Sequence, residues 1–294
     1  MKHYILANPF SGRKKGEKIA INVQKLLQKN NIEAEIIMSK YPRHLTEVTK
    51  ELSSKEDCRF YVIGGDGTLN EAVSGMVGTN SEVVVIPGGT GNDFVKSVSK
   101  YMSMRKIVLS SIGKEATPTD IIKVNNDRYC INVLNSGFDA LVAINVDKFR
   151  NVPLISGKMK YTLAIFYTLL TNRNYYFKLR ADNEIFKKNL TLVAIANAKY
   201  YGGGIIPCPD ANVNDGLLDI CTINSTSVRQ KIFFLPSYNK GTHINNPLVK
   251  ILKASKIHLV AKKSFPVSID GEVIHTNKLN VSVLKDAIKI VHID

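Results

Sequence analysis

The chain of 294 residues has no tryptophan, only four cysteines, and 25 acids against 40 bases. Cys58, Cys130, Cys208 and Cys221 form no CxxC pair, so neither a zinc site nor a disulfide framework is indicated, and a reducing, cytoplasmic setting fits. No apolar run reaches membrane-spanning length; Tyr161 to Leu170, the longest candidate, is too short. The first residues enter a strand-like segment directly, so no leader is expected. No glycine turn closes with GKS or GKT, which excludes a Walker P-loop, and none spells the GxGxxG of a dinucleotide fold.

The shortage of acids is local as well as global. Between Lys148 and Arg180 stand Lys148, Arg150, Lys158, Lys160, Arg173, Lys178 and Arg180, with no acid. Between Ile220 and Ile269 stand Arg229, Lys231, Lys240, Lys250, Lys253, Lys256, Lys262 and Lys263, again with none. A net charge of +15 arranged in such blocks suits an anionic lipid surface or nucleic acid, and a solvated basic face is the plainer alternative. No nucleic-acid motif accompanies the charge, so no nucleic-acid partner is expected. A homodimer is allowed, but nothing in the sequence specifies the oligomeric state.

The first part alternates strand-like and helix-like patterns. Tyr4–Ala7, Ala34–Met38, Phe60–Ile63 and Val83–Ile86 read as strands, separated by a helix carrying Ile19, Val23, Leu26 and Leu27 and another over Leu45 to Leu52. Short apolar runs between helices indicate parallel strands covered on both faces, an α/β domain over residues 1–117. Beyond it, Ile121–Val124, Tyr129–Val133, Tyr175–Leu179, Leu190–Ile195, Leu217–Ile220, Lys256–Val260 and Val267–Ile269 read as strands. Several alternate in hydrophobicity, which predicts an antiparallel β-sandwich over 118–285. Residues 286–294 form a closing segment for which a return to the first domain is open.

Three loops follow strands of the first domain in the same manner. They are Asn8-Pro9-Phe10-Ser11-Gly12, Gly64-Gly65-Asp66-Gly67-Thr68 and Pro87-Gly88-Gly89-Thr90-Gly91-Asn92-Asp93. Parallel strands place such loops on one edge of the sheet, where open α/β sheets bind ligands. Glycines let the backbone approach an anion closely, and the helix opening at Thr68, Leu69, Asn70 and Glu71 offers free N–H groups. An ordinary strand-to-helix turn would account for one such loop; three facing one crevice suit a polyphosphate. Asp66 and Asp93 are placed to manage magnesium or to order the loops.

At these residues the chain resembles the diacylglycerol kinase catalytic family, and within it the soluble bacterial lipid kinases. The resemblance rests on Asn-Pro-x-Ser-Gly, Gly-Gly-Asp-Gly-Thr-Leu-Asn-Glu and Gly-Thr-Gly-Asn-Asp-Phe in that order. It continues through Pro207 to Ala211, Asn214 to Asp219 and Ile269-Asp270-Gly271-Glu272. It implies an N-terminal three-layer domain like that of NAD kinases and phosphofructokinases, a C-terminal β-sandwich, and ATP-dependent phosphorylation of a lipid hydroxyl, such as diacylglycerol to phosphatidic acid. Asn8, Pro9, Phe10, Ser11, Gly12, Ser39, Gly64, Gly65, Asp66, Gly67, Thr68, Leu69, Asn70, Glu71 and Thr90 fall on or beside the family's nucleotide-contacting positions. Ser39 stands where relatives often carry threonine. Asp215, with the carbonyls of Asn212 and Leu217, matches a metal site of oxygen ligands suited to Mg2+; an Asp-Gly turn between strands is the plain alternative. The partners implied are a lipid substrate and an anionic membrane surface met peripherally.

Asp270 and Glu272 lie two apart, so an extended segment would present both carboxylates to one cleft. One of them would take the proton of the attacking hydroxyl, and Glu272 is favoured, with Asp270 as partner or metal link. The competing reading is a hairpin turn at Asp270-Gly271. A kinase of a soluble substrate such as NAD, and a lipid- or nucleotide-binding regulator without turnover, remain as rivals; the second is disfavoured because no motif acid is missing.

Overall fold

Residues 1–149, 157–171 and 174–293 are described in a computed structural model of the protein. Arg150 and Arg173 of the first basic block lie outside the described residues, as do the side chains of Arg13, Lys14 and Lys158.

The N-terminal half comprises β1 (Lys2–Ala7), α1 (Ser11–Lys14), α2 (Gly16–Gln28), β2 (Glu35–Met38), α3 (His44–Lys55), β3 (Cys58–Gly64), α4 (Asp66–Met76), β4 (Glu82–Pro87), α5 (Val95–Val98) and α6 (Met104–Ser111). Its strands are parallel in the order β2-β1-β3-β4. The chain crosses from β1 outward to β2 and then back over β1 to β3. Right-handed crossovers therefore put α2 and α3 on opposite faces. In keeping with this, α2 packs with α6, and α3 with α4. Every residue of β3 is buried, as a strand covered on both sides requires. On α2 the buried positions Gly16, Ala20, Val23 and Leu27 fall three or four apart and form its inner stripe.

The C-terminal half comprises β5 (Thr117–Val124), β6 (Arg128–Cys130), β7 (Val133–Gly137), α7 (Phe138–Phe149), α8 (Gly157–Thr171), β8 (Tyr175–Ala181), β9 (Glu184–Ala196), β10 (Leu218–Asn224), α9 (Val228–Lys240), β11 (Val249–Ala254), β12 (Lys256–Ile269) and β13 (Glu272–Ile290). The ladder β11-β10-β9-β7-β12-β13 is antiparallel throughout. One core, including Phe177, Leu190, Ile257 and Phe265, fills the sandwich. A second, including Phe138, Val142, Ala164 and Phe234, lies where α7, α8 and α9 cover the sheet.

β13 belongs to both halves. It pairs with β12 and β5, and its last residues Lys289 and Ile290 run parallel to Glu82 and Val83 of β4. Its pairing with β5 shifts register between Leu284 and Ile288. There Asp286 takes a φ of +52 and donates its N–H to the buried Asp120 carboxylate.

Two strand readings need correction. Lys256–Val260 and Val267–Ile269 are one strand, β12, with a register shift between Val260 and Phe265. The irregularity lets β12 pair with β8 on one side of the bend and with β7 on the other. Conversely, Tyr129–Val133 is broken at Ile131 and Asn132, because their N–H groups are taken by the Asp270 carboxylate instead of a neighbouring strand.

Candidate active site

The loops after β1, β3 and β4 meet at the C-terminal edge of the parallel sheet, and glycine is what lets them touch. A Cβ on Gly89 would fall 2.4 Å from the Cα of Gly65, and one on Gly12 would fall 2.5 Å from the carbonyl oxygen of Gly88. One on Gly64 would collide with the Thr68 side chain. Gly67 differs: a Cβ there meets nothing within 4 Å. No protein contact demands that glycine, and it lies exposed in the first turn of α4, where the leading N–H groups lack helical acceptors.

Side chains of the same segment fix the loops. Asn8 Oδ1 accepts from Phe10 N at 2.9 Å, and Asn92 exchanges two hydrogen bonds with the backbone of Gly89. Ser11 and Gly12 already belong to the short helix α1, while Ser39 extends the β1–β2 pairing by donating its N–H to Ala7 O at 2.8 Å. Thr68 and Leu69 are buried, and Leu69 lies in the core, so any ligand contact from Leu69 comes through the backbone. Thr90 is exposed and Phe10 is 74% exposed. Asp66 accepts the N–H groups of Asp93 and Phe94 and the side-chain amide of Asn132. It thereby joins the β4 loop to the C-terminal half. Asp93 in turn pairs with Lys96 at 2.6 Å and accepts from Gly203 N at 2.7 Å.

Asp270 and Gly271 form the hairpin between β12 and β13, with φ of +46 and +95, so the segment is not extended. Positive φ at both central residues is the signature of a type I′ turn. The two carboxylates then have different surroundings. Asp270 accepts from Asn70 Nδ2 and Ile131 N, both at 2.7 Å, from Asn132 N at 3.0 Å and Val133 N at 3.3 Å, and from the Cys130 thiol. Burial pushes its carboxyl above the ordinary value, against the opposing pull of these donors. The Glu272 side chain is 81% exposed and stands 3.8 Å from Arg128 Nη1.

Two cavities flank this hairpin and share Gly67 and Asp270 in their walls. The smaller, of about 160 Å³, is lined by Arg43, Thr46, Asn70, Glu71, Arg128 and Glu272. The larger, of about 470 Å³, extends into the C-terminal half past Asn132, Asn135, Asp139, Val142, Tyr161 and Tyr201. Asp139 accepts the hydroxyls of Tyr201 and Tyr238, and burial raises its carboxyl from 3.8 to about 6.

The Asn212–Leu217 loop opens into neither cavity. It lies beside the β13 irregularity, held by Gly216 N donating to Asp120 at 2.7 Å. Asp215 accepts Leu217 N with one oxygen and pairs with Lys253 Nζ through the other at 2.7 Å, and Lys253 also reaches Asp219 at 3.3 Å. Asn212 Oδ1 accepts Asn214 N. A cationic charge is thus already supplied by Lys253. Among the described residues no group of three or more His, Cys, Asp or Glu could hold a metal. The loop as it stands does not fit a magnesium ion unless Lys253 is displaced.

Sequence reading missed Arg43, Arg128, Asn132, Asn135 and Asp139. A signal existed for the two asparagines, amides three apart in the otherwise apolar stretch 130–135; Arg43 and Arg128 had none.

A family model described as the diacylglycerol kinase catalytic domain matches residues 2–124, and one described as the YegS C-terminal NAD kinase beta sandwich-like domain matches residues 132–292. A provisionally named lipid kinase of Staphylococcus carnosus (strain TM300) is 29% identical over 238 residues, covering 80% of this chain and 77% of that protein. Another, from Staphylococcus aureus (strain JH9), is 27% identical over 256 residues, 86% and 83% of the two chains. The crystal structure of a diacylglycerol kinase from Bacillus anthracis str. Sterne superposes with a TM-score of 0.75 at 21% identity, over 99% of this chain and 96% of that one. At that identity the likeness establishes the fold.

Proposed function

Because the chain belongs to the diacylglycerol kinase-like family of bacterial lipid kinases, we propose that it transfers the γ-phosphate of ATP to the hydroxyl of a membrane lipid, with diacylglycerol to phosphatidic acid as the reference reaction. The observation that carries this reading is the pair of cavities meeting at Gly67 and Asp270. The smaller, with Arg43 and Arg128, takes the nucleotide side. The larger, with apolar walls at Val142 and Tyr161, takes the acceptor. Phosphates lie along Gly12, Gly65 to Thr68 and Thr90, where Gly67 leaves room for them.

Phosphoryl transfer needs mainly positioning and charge neutralisation. Asp270, with four N–H donors on its two oxygens, holds the halves in register across Asn70 and Ile131. Glu272 lines the smaller cavity from the hairpin that divides the two, keeps an open carboxylate, and takes the proton of a hydroxyl that attacks where the cavities meet at Gly67 and Asp270. Magnesium accompanying ATP would neutralise phosphate charge, and Asp66, beside Gly67 in the wall of the larger cavity, would offer it Oδ2, because Oδ1 is engaged by Phe94 N and Asn132 in holding the loop.

Access from a membrane follows from α8 and α9. Among the described residues no helix is long and apolar enough to cross a membrane. Yet Met159, Leu163, Phe166 and Leu170, spaced by four, three and four, line the exposed side of α8, and Ile232 and Phe233 are exposed on α9. Lys148, from α7, lies over Tyr167 and Arg229 over Phe233, and α8 and α9 themselves contain no acid. An apolar stripe edged by bases suits an anionic bilayer surface, and a second copy of the same charged face would repel it.

The test is incorporation of labelled phosphate from ATP into a defined panel of lipids in micelles, with NAD as the soluble competitor. Labelling of a long-chain alcohol is expected. Labelling of NAD alone, or of nothing, would overturn the reading.

A further inference from the structure

The pairing register of the sandwich builds a face that phosphoryl transfer leaves unused. On β8, Phe177, Leu179 and Ala181 point into the sandwich core, so Tyr176, Lys178 and Arg180 point outward. Residues opposite one another in a ladder share a face, and the outward set therefore runs across five strands in the order β9-β8-β12-β13-β5. One row is Lys187, Lys178, Val260 and Lys278, and the next is Ile185, Arg180, His258 and Asn280. A third brings Lys256, Ser282 and Lys123 together. Six cations thus share one face, and no acid takes an outward position in the three rows. Acids at its border are engaged: Asp182 accepts the N–H groups of Ser255 and Lys256, and Glu184 pairs with Lys250 at 2.7 Å. Like charges directly opposite, as Lys178 and Lys187 are, destabilise a sheet pair, and a bound polyanion would offset that cost.

Position, size and shape choose among anionic partners. Alternate residues of β9 face opposite ways, Val193 and Ile195 into the sandwich, Leu192 and Ala194 towards the layer of α7, α8 and α9. The helices and the basic face are therefore opposite outer surfaces, and the planar bilayer proposed for α8 and α9 cannot meet both. Strands about 4.8 Å apart and outward positions about 6.7 Å apart make a platform of roughly 20 by 15 Å, well under the ~800 Å² per partner of a standard protein interface. Its apolar side chains, Tyr176, Ile185 and Val260, are scattered among the bases. A flat face cannot enter the major groove of a duplex, which takes a helix or a two-stranded ribbon. A single strand fits: its phosphates can follow the lysine rows, and Tyr176, 53% exposed one outward position beyond Lys178, offers a ring for base stacking. We propose that this outer sheet face, centred on Lys178, Lys187 and Lys278, binds single-stranded nucleic acid through its backbone, without base specificity. No contiguous motif announces it, because five strands supply the residues.

The experiment is fluorescence anisotropy of labelled 20-nucleotide oligouridylate and oligothymidylate with the full chain across a salt series. Log K should fall against log salt with a slope of about −4, since a single strand gives about −0.7 per phosphate neutralised and six cations share the face. Lys178→Glu, Lys187→Glu and Lys278→Glu combined should weaken binding about 30-fold or more and flatten the slope by about 2. Glutamine at the same three positions should flatten it equally in a chain that melts like the wild type. The same charge reversal at Lys18, Lys25 and Lys29, exposed on and just after α2, should cost less than about three-fold. Tyr176→Ala should weaken binding about five-fold with the slope unchanged. Lipid phosphorylation should survive the sheet substitutions, so its absence from the wild type would defeat the kinase reading alone. No oligonucleotide binding at about 0.05 M salt overturns the inference. Equal losses in the sheet and α2 variants overturn it too, because net charge alone would then act. Equal affinity for polyglutamate of matched length has the same consequence. So does loss of anionic-vesicle sedimentation in the sheet variant with oligonucleotide binding unchanged, which would make this face the membrane contact.

Discussion

The two halves of the molecule build their sides of the cleft from different materials. The N-terminal half offers backbone: glycines packed against glycines, a helix start and short turns, with side chains such as Asp66 and Asn92 spent on holding loops in place. The C-terminal half offers side chains: Asn132, Asn135, Asp139 and the turn residues Asp270 and Glu272. A backbone site reads charge and close approach, as the phosphates common to every cycle require. A side-chain site reads the shape and hydrogen bonding of whatever varies, here the acceptor. The division also separates rate from stability, and substitutions can test it.

The largest effect is expected from Glu272→Gln, which should lower kcat by about 10²- to 10⁴-fold while leaving ATP binding and the melting temperature unchanged. Asp270→Asn should reduce kcat too, but with a loss of folding stability of about 1–3 kcal/mol, because several buried N–H groups lose a charged acceptor. Near-normal kcat in Glu272→Gln would remove it from the proton path. On the backbone side, Gly89→Ala forces the loops apart and should cost about 100-fold in kcat/KM. Gly67→Ala should melt like the wild type yet bind ATP more weakly in calorimetry. Equal behaviour of the two alanine variants would erase the distinction between packing glycine and ligand glycine.

A smaller effect concerns Asp139. Its folded value of about 6 lies above the ordinary 3.8, so the native state holds this proton more tightly. The resulting stability is complete below about pH 4, declines as pH rises through about 6, and amounts to about 3 kcal/mol. Urea titrations should show that decline in the wild type and a flatter profile in Asp139→Asn. The smallest effect is at the proposed lipid surface of α8 and α9. Phe166→Glu and Phe233→Glu should each weaken sedimentation with anionic vesicles by about ten-fold, and added salt should weaken the wild type further. Undiminished vesicle binding in the double variant would place the membrane contact elsewhere.

What could be read from the sequence follows the same division. The three glycine loops are contiguous strings behind apolar runs, so their residues and common edge were legible, as were the helices around Val23 and Leu45. The interruption at Ile131 was not, because the carboxylate that takes its N–H belongs to Asp270, separated by 139 positions. Asp270-Gly271 carried its hairpin signal openly, yet the pairing of two acids drew the reading towards an extended strand. The Asp215 loop carries a cation-site pattern in one contiguous stretch, whereas Lys253, which pairs with its carboxylate, sits on a different strand, β11, and was not legible there. The separation of Lys256–Val260 from Val267–Ile269 was not borne out, because a register shift between Val260 and Phe265 keeps them in one strand.

The pairing of Lys289 and Ile290 with β4 bears on how the protein is made. Ile288, Ile290, Val291 and Ile293 are part of the core of the N-terminal half. On a ribosome they emerge about 200 residues after β4, so the earliest half to appear is completed last. During that interval β4 presents an open row of N–H and C=O groups beside an unfilled core, a template for pairing with other nascent chains. A chain stalled before residue 288 would show that edge to chaperones, which makes the closing strand the step at which quality control has most to gain.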